Sequence, residues 1–236
     1  MGDPHARAAG KDEAGKEGAG KEVGRSAHAQ AFVPATTIAQ RVEQAWTELA
    51  RASHDRKHGF HLPTLCTLDS EGLPTARVVV LRRAMRERAM LLAHTDVRSD
   101  KARALLAQHD QSGACCMVFY DGAKRLQLRV RGVVTLHTQG PLALMQWTAS
   151  TLSSRRCYLA PHAPGSVQEH DDPNLPEHLR GTTPTSDEAR AGRENFAVLA
   201  CSVRTIDMLH LGAMGHSRCR WRHDENGDVR GEWVSP

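Results

Sequence analysis

The chain has 236 residues, a formal net charge of +4, 40% hydrophobic residues and 25% charged residues. That length fills one domain with a sizeable core, or one domain plus appendages, and the low apolar share implies that part of the chain stays unpacked. The charge is too mildly basic to demand nucleic acid, and no apolar run approaches the roughly 20 residues needed to cross a bilayer.

Residues 1–31 are mostly Gly, Ala, Lys and Glu without an apolar period, so a disordered tail is expected there. Because Met1–Arg25 lacks a hydrophobic leader core, a cytoplasmic protein is expected. A helix should follow, capped by Thr36 or Thr37, with Ile38, Val42, Trp46 and Leu49 on one stripe. The pattern then turns extended. Strands are expected over His61–Leu68, Thr75–Arg83 and Arg88–Thr95, with Gly72 in the first turn. A short helix is expected over Ser99–Gln108, with Ser99 as its cap. Gly113–Tyr120 reads as a strand covered on both faces. Arg125–His137 reads as a long strand with Leu126, Leu128 and Val130 on one face and Gln127, Arg129 and Arg131 on the other.

Pro141–Leu152 looks helical, with the proline at an early position. Residues 160–194 are rich in proline and polar groups and read as one long irregular loop, a candidate lid. Strands are expected to resume at Phe196–Val203, Ile206–Leu211, Arg218–His223 and Val229–Val234, with Asn226-Gly227 as a hairpin turn. Tight turns between strands point to a mainly β, antiparallel, Greek-key-like barrel with flanking helices over 32–236, not a parallel α/β sheet. The six cysteines form no C-x-x-C pair and read as reduced and structural. The histidines show no ligand spacing, so no metal is expected.

Four stretches could carry chemistry. Arg77 and Arg82 bracket the Val-rich run Val78, Val79, Val80 and Leu81; guanidinium is costly to bury without an anion, although both could reach water at strand ends. His94, Thr95, Ser99 and Lys101 join a strand end to a helix start, a combination that suits phosphate. Asp100 weighs against that reading, and an ordinary capped helix explains the same residues. Gln127 could read a heterocycle through its amide, or sit on a half-exposed sheet. His216, Arg218 and Arg220 share a face of a late strand, with Trp233 nearby. No Ser-His-Asp or Cys-His arrangement can be assigned from spacing, so the catalytic residues stay unknown.

Taken in order, Arg77–Arg82, Thr95–Lys101, Gln127–Gly132 and His216–Trp221, with Trp233 and Pro236, resemble the pyridoxamine 5′-phosphate oxidase family, and more closely its Alr4036-type FMN-binding branch. The resemblance implies an FMN-binding split barrel and a homodimer with FMN at the interface. It implies that Arg77 and Lys101 hold the phosphate with Thr95 and Ser99. Val78–Leu81 would line the flavin with Arg82 close by, and Gln127 and Arg220 would contact the ring. Departures from the family pattern are His94, Asp100, Leu209 and the poor match of Trp147, Thr151 and Arg155 to its substrate-phosphate positions. The expected function is an FMN-dependent oxidoreductase of unknown small-molecule substrate. The alternatives are an authentic pyridoxamine or pyridoxine 5′-phosphate oxidase and a non-catalytic flavin-binding or storage module. Nucleic-acid binding through Arg125, Arg129 and Arg131 is disfavoured, because no aromatic residues interleave with them.

Overall fold

The computed structural model describes residues 32–224 and 228–236. The expected tail over 1–31 and the Asn226-Gly227 turn lie outside the described residues.

The first helix, α1, spans Ile38–His54, and Thr37 closes a capping box with Gln40. Val42, Trp46 and Leu49 enter the main core, with Ile38 packed at its margin. This follows the apolar stripe read from the sequence. Among the described residues nine strands then form one antiparallel sheet: β1 Thr64–Leu68, β2 Pro74–Val78, β3 Leu81–Met85, β4 Met90–Asp96, β5 Ser112–Asp121, β6 Leu126–His137, β7 Phe196–His210, β8 Ser217–His223 and β9 Val229–Val234. The order along the sheet is β2-β1-β5-β6-β7-β4-β3, with β8 and β9 continuing from β7. Its two ends, β2 and β3, are consecutive in the chain but belong to different ladders. The sheet is therefore a split barrel that does not close. Its seam is tied by the Val79 and Leu81 amides, which donate to the Pro63 and His61 carbonyls at 3.0 and 2.9 Å.

Four expectations change here. Thr75–Arg83 is not one strand: it breaks at Val79–Val80, because β2 pairs β1 whereas β3 pairs β4. The two expected strands from Phe196 to Leu211 are one, β7, which absorbs a bulge opposite Arg131/Gly132. Gly132 sits at that bulge because a Cβ there would collide with the Ser202 carbonyl oxygen. Strand β5 is buried on alternate residues only, with Tyr120 half exposed. The 160–194 segment carries a helix, α5 at Ser186–Arg190, and 3₁₀ turns at Glu177–Leu179 and Ala191–Arg193. Prolines prevent long elements but not single turns.

Three short helices complete the frame: α2 Asp100–Leu106, α3 Gly140–Ala149 and α4 Leu152–Arg155. The main core fills the barrel under α1. A second core lies across β4 and β7, where Leu92, Phe196, Val198 and Ala200 meet Ala143 and Trp147 of α3 and Tyr158. These two cores give β4 two distinct sides, and the site uses both.

Candidate functional site

Strand register places Arg77. One row runs across the sheet from Arg77 through Leu65, Met117, Val130 and Ile206 to Trp221. Every member but Arg77 is buried and apolar. Arg77 thus heads a core-facing row on the last strand of the barrel, where the guanidinium is half-buried. It donates to Thr67 Oγ1 at 2.6 Å and the Leu65 carbonyl at 3.3 Å, and also to the Thr75 hydroxyl. These are neutral acceptors; no carboxylate pairs with it among the described residues.

Lys101 in α2 lies within electrostatic reach. Burial lowers its pKa first, and the charge of Arg77 lowers it further, against the pull of Asp96 and Asp100. Burial also lowers the Arg77 pKa, partly opposed by Cys66 and Asp100. Lys101 Nζ donates to Ser99 Oγ at 3.2 Å, and Ser99 Oγ lies 3.1 Å from Thr95 Oγ1. Thr95 and Ser99 are both buried. Ser99 stands at the N-cap position but does not cap; its hydroxyl donates instead to the Asp96 carbonyl at 2.7 Å. Asp100, the residue that argued against an anion here, is bonded to Arg103, and Asp96 is bound bidentately by Arg98. The acids near Lys101 are therefore partnered by other arginines, and Arg77, Thr95, Ser99 and Lys101 form one cluster. The long segment also reaches this point: a Cβ on Gly165 would lie 3.6 Å from Asp100 Oδ2.

Arg82 and His94 belong to the other side of β4. His94 pairs in register with Val198, and its ring packs 4.8 Å from Phe196 in the second core. Its Nε2 lies 3.1 Å from Gln146 Oε1. Burial drives the His94 pKa down to about 4; the Gln146 bond opposes this and the Arg82 charge adds to it. Arg82 occupies the irregularity between Leu81 and Arg83, and its Nε is buried without a partner. Tyr158 feels the same charge, although burial dominates and raises its pKa.

Between these clusters, Val79 and Leu81 are core residues, Val78 is 61% exposed and Val80 is half-buried. Gln127 and Arg220 lie elsewhere. They belong to the outer face of the sheet, with Gln127 opposite Tyr120 and Leu209, and Arg220 opposite Asp207 and Glu232. Arg220 donates to Glu232 at 3.1 Å, while Arg129 and Arg218 both bind Asp207 at 2.8 Å. Burial opposes ionisation of Asp207, but the two arginines prevail and lower its pKa. Within one chain, then, Gln127 and Arg220 face away from Arg77. Val78, Leu68 and Tyr120 are exposed on the same outer face.

Trp147, Thr151 and Arg155, which the resemblance matched poorly to substrate-phosphate positions, are committed to the fold. Trp147 is buried against Tyr158 and Phe196. Thr151 caps α4 by accepting from the Ser154 amide at 3.2 Å. Arg155 lies 4.9 Å over the Trp147 ring and donates to the Trp147 and Thr148 carbonyls. Sequence reasoning missed two contributors: Thr67, which holds Arg77, and Gln146, which holds His94. The cross-strand register that reveals Thr67 has no local signal in the sequence.

An antiparallel split barrel carrying two partly buried cations without a carboxylate partner among the described residues, and two hydroxyls beside them, marks an anion-holding domain. Residues 43–138 match the model of the pyridoxamine 5′-phosphate oxidase FMN-binding domain. A curated pyridoxine/pyridoxamine 5′-phosphate oxidase from a Ruegeria species is 30% identical over 148 residues, covering 56% of this chain and 70% of the relative. One from Roseobacter denitrificans is 31% identical over 114 residues, covering 48% and 52%. Among solved structures, a pyridoxamine 5′-phosphate oxidase-related, FMN-binding protein from Nostoc punctiforme superposes with a TM-score of 0.62 at 20% identity, covering 82% of this chain and 96% of that one. PhzG from Burkholderia lata, solved with tetrahydrophenazine-1-carboxylic acid, superposes with a TM-score of 0.60 at 15% identity, covering 84% and 92%. The chain belongs to the pyridoxamine 5′-phosphate oxidase family, and its matched segment is an FMN-binding domain.

Proposed function

We propose that this protein is an FMN-dependent oxidoreductase whose substrate is not a vitamin phosphate. The observation that carries the reading is the half-buried pair Arg77 and Lys101, two like charges held together without a carboxylate. Two such cations repel and lose hydration unless an anion joins them. The donor set fits a phosphate: a guanidinium, an ammonium and the Thr95 and Ser99 hydroxyls. Helix α2 has only seven residues, so the side chains carry most of the charge.

When bound, FMN supplies two-electron redox chemistry at its ring. The chain's own residues bind and orient. Ser99 accepts from Lys101 and fixes the ammonium, while Thr67 and Thr75 fix the guanidinium of Arg77. Arg82 contributes a permanent positive charge on the α3 side, and His94, neutral at pH 7, presents no competing charge there. Gln127 and Arg220 face away from Arg77 within one chain, so their contact with the ring requires a second copy. We therefore read the assembly as a homodimer with FMN at the interface, supported by the exposed Val78, Leu68 and Tyr120 on that face. Among the described residues no helix is long and apolar enough to cross a membrane. The Cys115 and Cys201 thiols form a hydrogen-bonded pair at 3.3 Å, and we read the setting as cytoplasmic.

The activity for which the relatives are named, oxidation of pyridoxine or pyridoxamine 5′-phosphate, is disfavoured because Trp147, Thr151 and Arg155 are committed to packing, capping and carbonyl bonds. The test is direct. The purified protein should be yellow, with absorbance near roughly 450 nm, and should turn over with a reduced nicotinamide or an amine. It should form no peroxide with pyridoxamine 5′-phosphate. A colourless preparation that takes up no added FMN would refute the reading.

A further inference from the structure

A second cation stands apart from the flavin cluster. Arg41 of α1 is only 3% exposed. Its Nε donates to the Ala35 carbonyl at 2.7 Å and its Nη2 to Ser217 Oγ at 2.8 Å. Its Nη1 is buried and has no partner. Neither acceptor carries a charge, and among the described residues no carboxylate pairs with Arg41. Burial lowers its pKa, partly opposed by the Cys219 thiol. A buried guanidinium with a free N–H is expensive, and an unsatisfied group of this kind calls for a partner such as an ion or water.

Arg41 lines an open cleft of about 580 Å³ together with His210, Met214, Ser217 and Trp233. Trp233 is half exposed and gives the cleft an apolar wall, with Met214 fully exposed at its edge. The indole of Trp233 lies 5.3 Å from Arg41 Cζ. The charges that face His210 in the cleft are cationic: burial lowers its pKa first, and Arg41, Arg125 and His216 lower it further. Ser217 accepts from Arg41, which leaves its hydroxyl proton for a ligand. The cleft shares no residue with the Arg77–Lys101 cluster.

We propose that this cleft binds a small ligand that joins an oxyanion to a flat ring, with the oxyanion on Arg41 and Ser217 and the ring against Trp233. The shared chemistry covers an aromatic carboxylate and a phosphate ester. Concave, mostly apolar clefts with a few convergent polar groups are the usual form of small-molecule sites. The proposal does not depend on the flavin reading.

The test is calorimetric titration of the flavin-loaded full chain, at constant ionic strength, with inorganic phosphate and separately with benzoate. Saturation by at least one probe below about 10 mM is expected; phosphate alone assigns a phosphate ester, and tighter benzoate assigns an aromatic carboxylate. Arg41→Gln should weaken binding at least about five-fold with flavin content unchanged. Should Arg41→Gln not fold, Ser217→Ala, which leaves the cation in place, decides by the same five-fold criterion. Failure of both probes to saturate, or a smaller loss in the deciding variant, overturns the proposal.

Discussion

The outer face of the sheet and the rim at α2 use the same residue types to opposite ends. On the outer face Arg129 and Arg218 converge on Asp207, and Arg220 meets Glu232. Arg129 and Arg218 share one acid and Arg220 has its own, so the fold itself partners each of these cations. At the rim Arg77 and Lys101 lie within electrostatic reach of each other while the nearby acids bind Arg98 and Arg103. Arginine content therefore locates nothing by itself. What marks a ligand site is positive charge that the fold assembles and leaves uncompensated.

The largest effect should come from removing the uncompensated pair. Hydrogen bonds to charged groups are worth about 1.5–3 kcal/mol each. Arg77→Ala with Lys101→Ala should weaken FMN binding by roughly 10²–10⁴-fold, read as loss of the visible absorbance on gel filtration. Survival of the yellow colour would break the comparison.

The paired face should respond in stability instead. Asp207→Asn leaves Arg129 and Arg218 without their shared acid and should cost about 1–3 kcal/mol, seen as a melting temperature lower by roughly 3–10 °C. FMN uptake should change far less than in the rim variant. Equal losses of flavin in both variants would erase the distinction.

His94 sharpens the same contrast through pH. Its folded pKa, about 4, lies below the ordinary histidine value. The neutral form is therefore the one the fold favours. Its contribution is present above roughly pH 6.5 and is lost as pH falls through 4, amounting to about 3 kcal/mol on full protonation. His94→Gln should flatten the denaturation profile over that window. An NMR titration placing the ring near 6.5 would contradict the burial argument.

The smallest effect concerns the long segment over α2. Deleting 163–170 should raise the FMN dissociation constant by less than about ten-fold, because side chains outside the segment make the anion contacts. A larger loss would make the segment part of the site.

Much of this was legible from residue order. The stripe of α1 and the parity of β6 follow from periods that burial imposes on any such element, and the cluster around Lys101 was visible as a spacing. What escaped is long-range. The break at Val79–Val80 depends on two ladders that share no sequence signal, and β7 runs through its bulge because Gly132 permits a close approach to Ser202. Arg77 and Arg220 look alike in the sequence; register alone puts one at the end of a core row and the other against Glu232. Likewise, Arg155 became a packing residue only once Trp147 was found beneath it.

The central claim is that Arg77 and Lys101 recognise a phosphate and not a ring. It is tested most directly by comparing FMN with riboflavin, which lacks the phosphate, in titrations of the flavin-free protein. The account predicts that FMN binds at least about 100-fold more tightly, and that the advantage disappears in Arg77→Ala with Lys101→Ala. Equal affinities in the parent protein, or a preference for FMN that survives the double substitution, would contradict it.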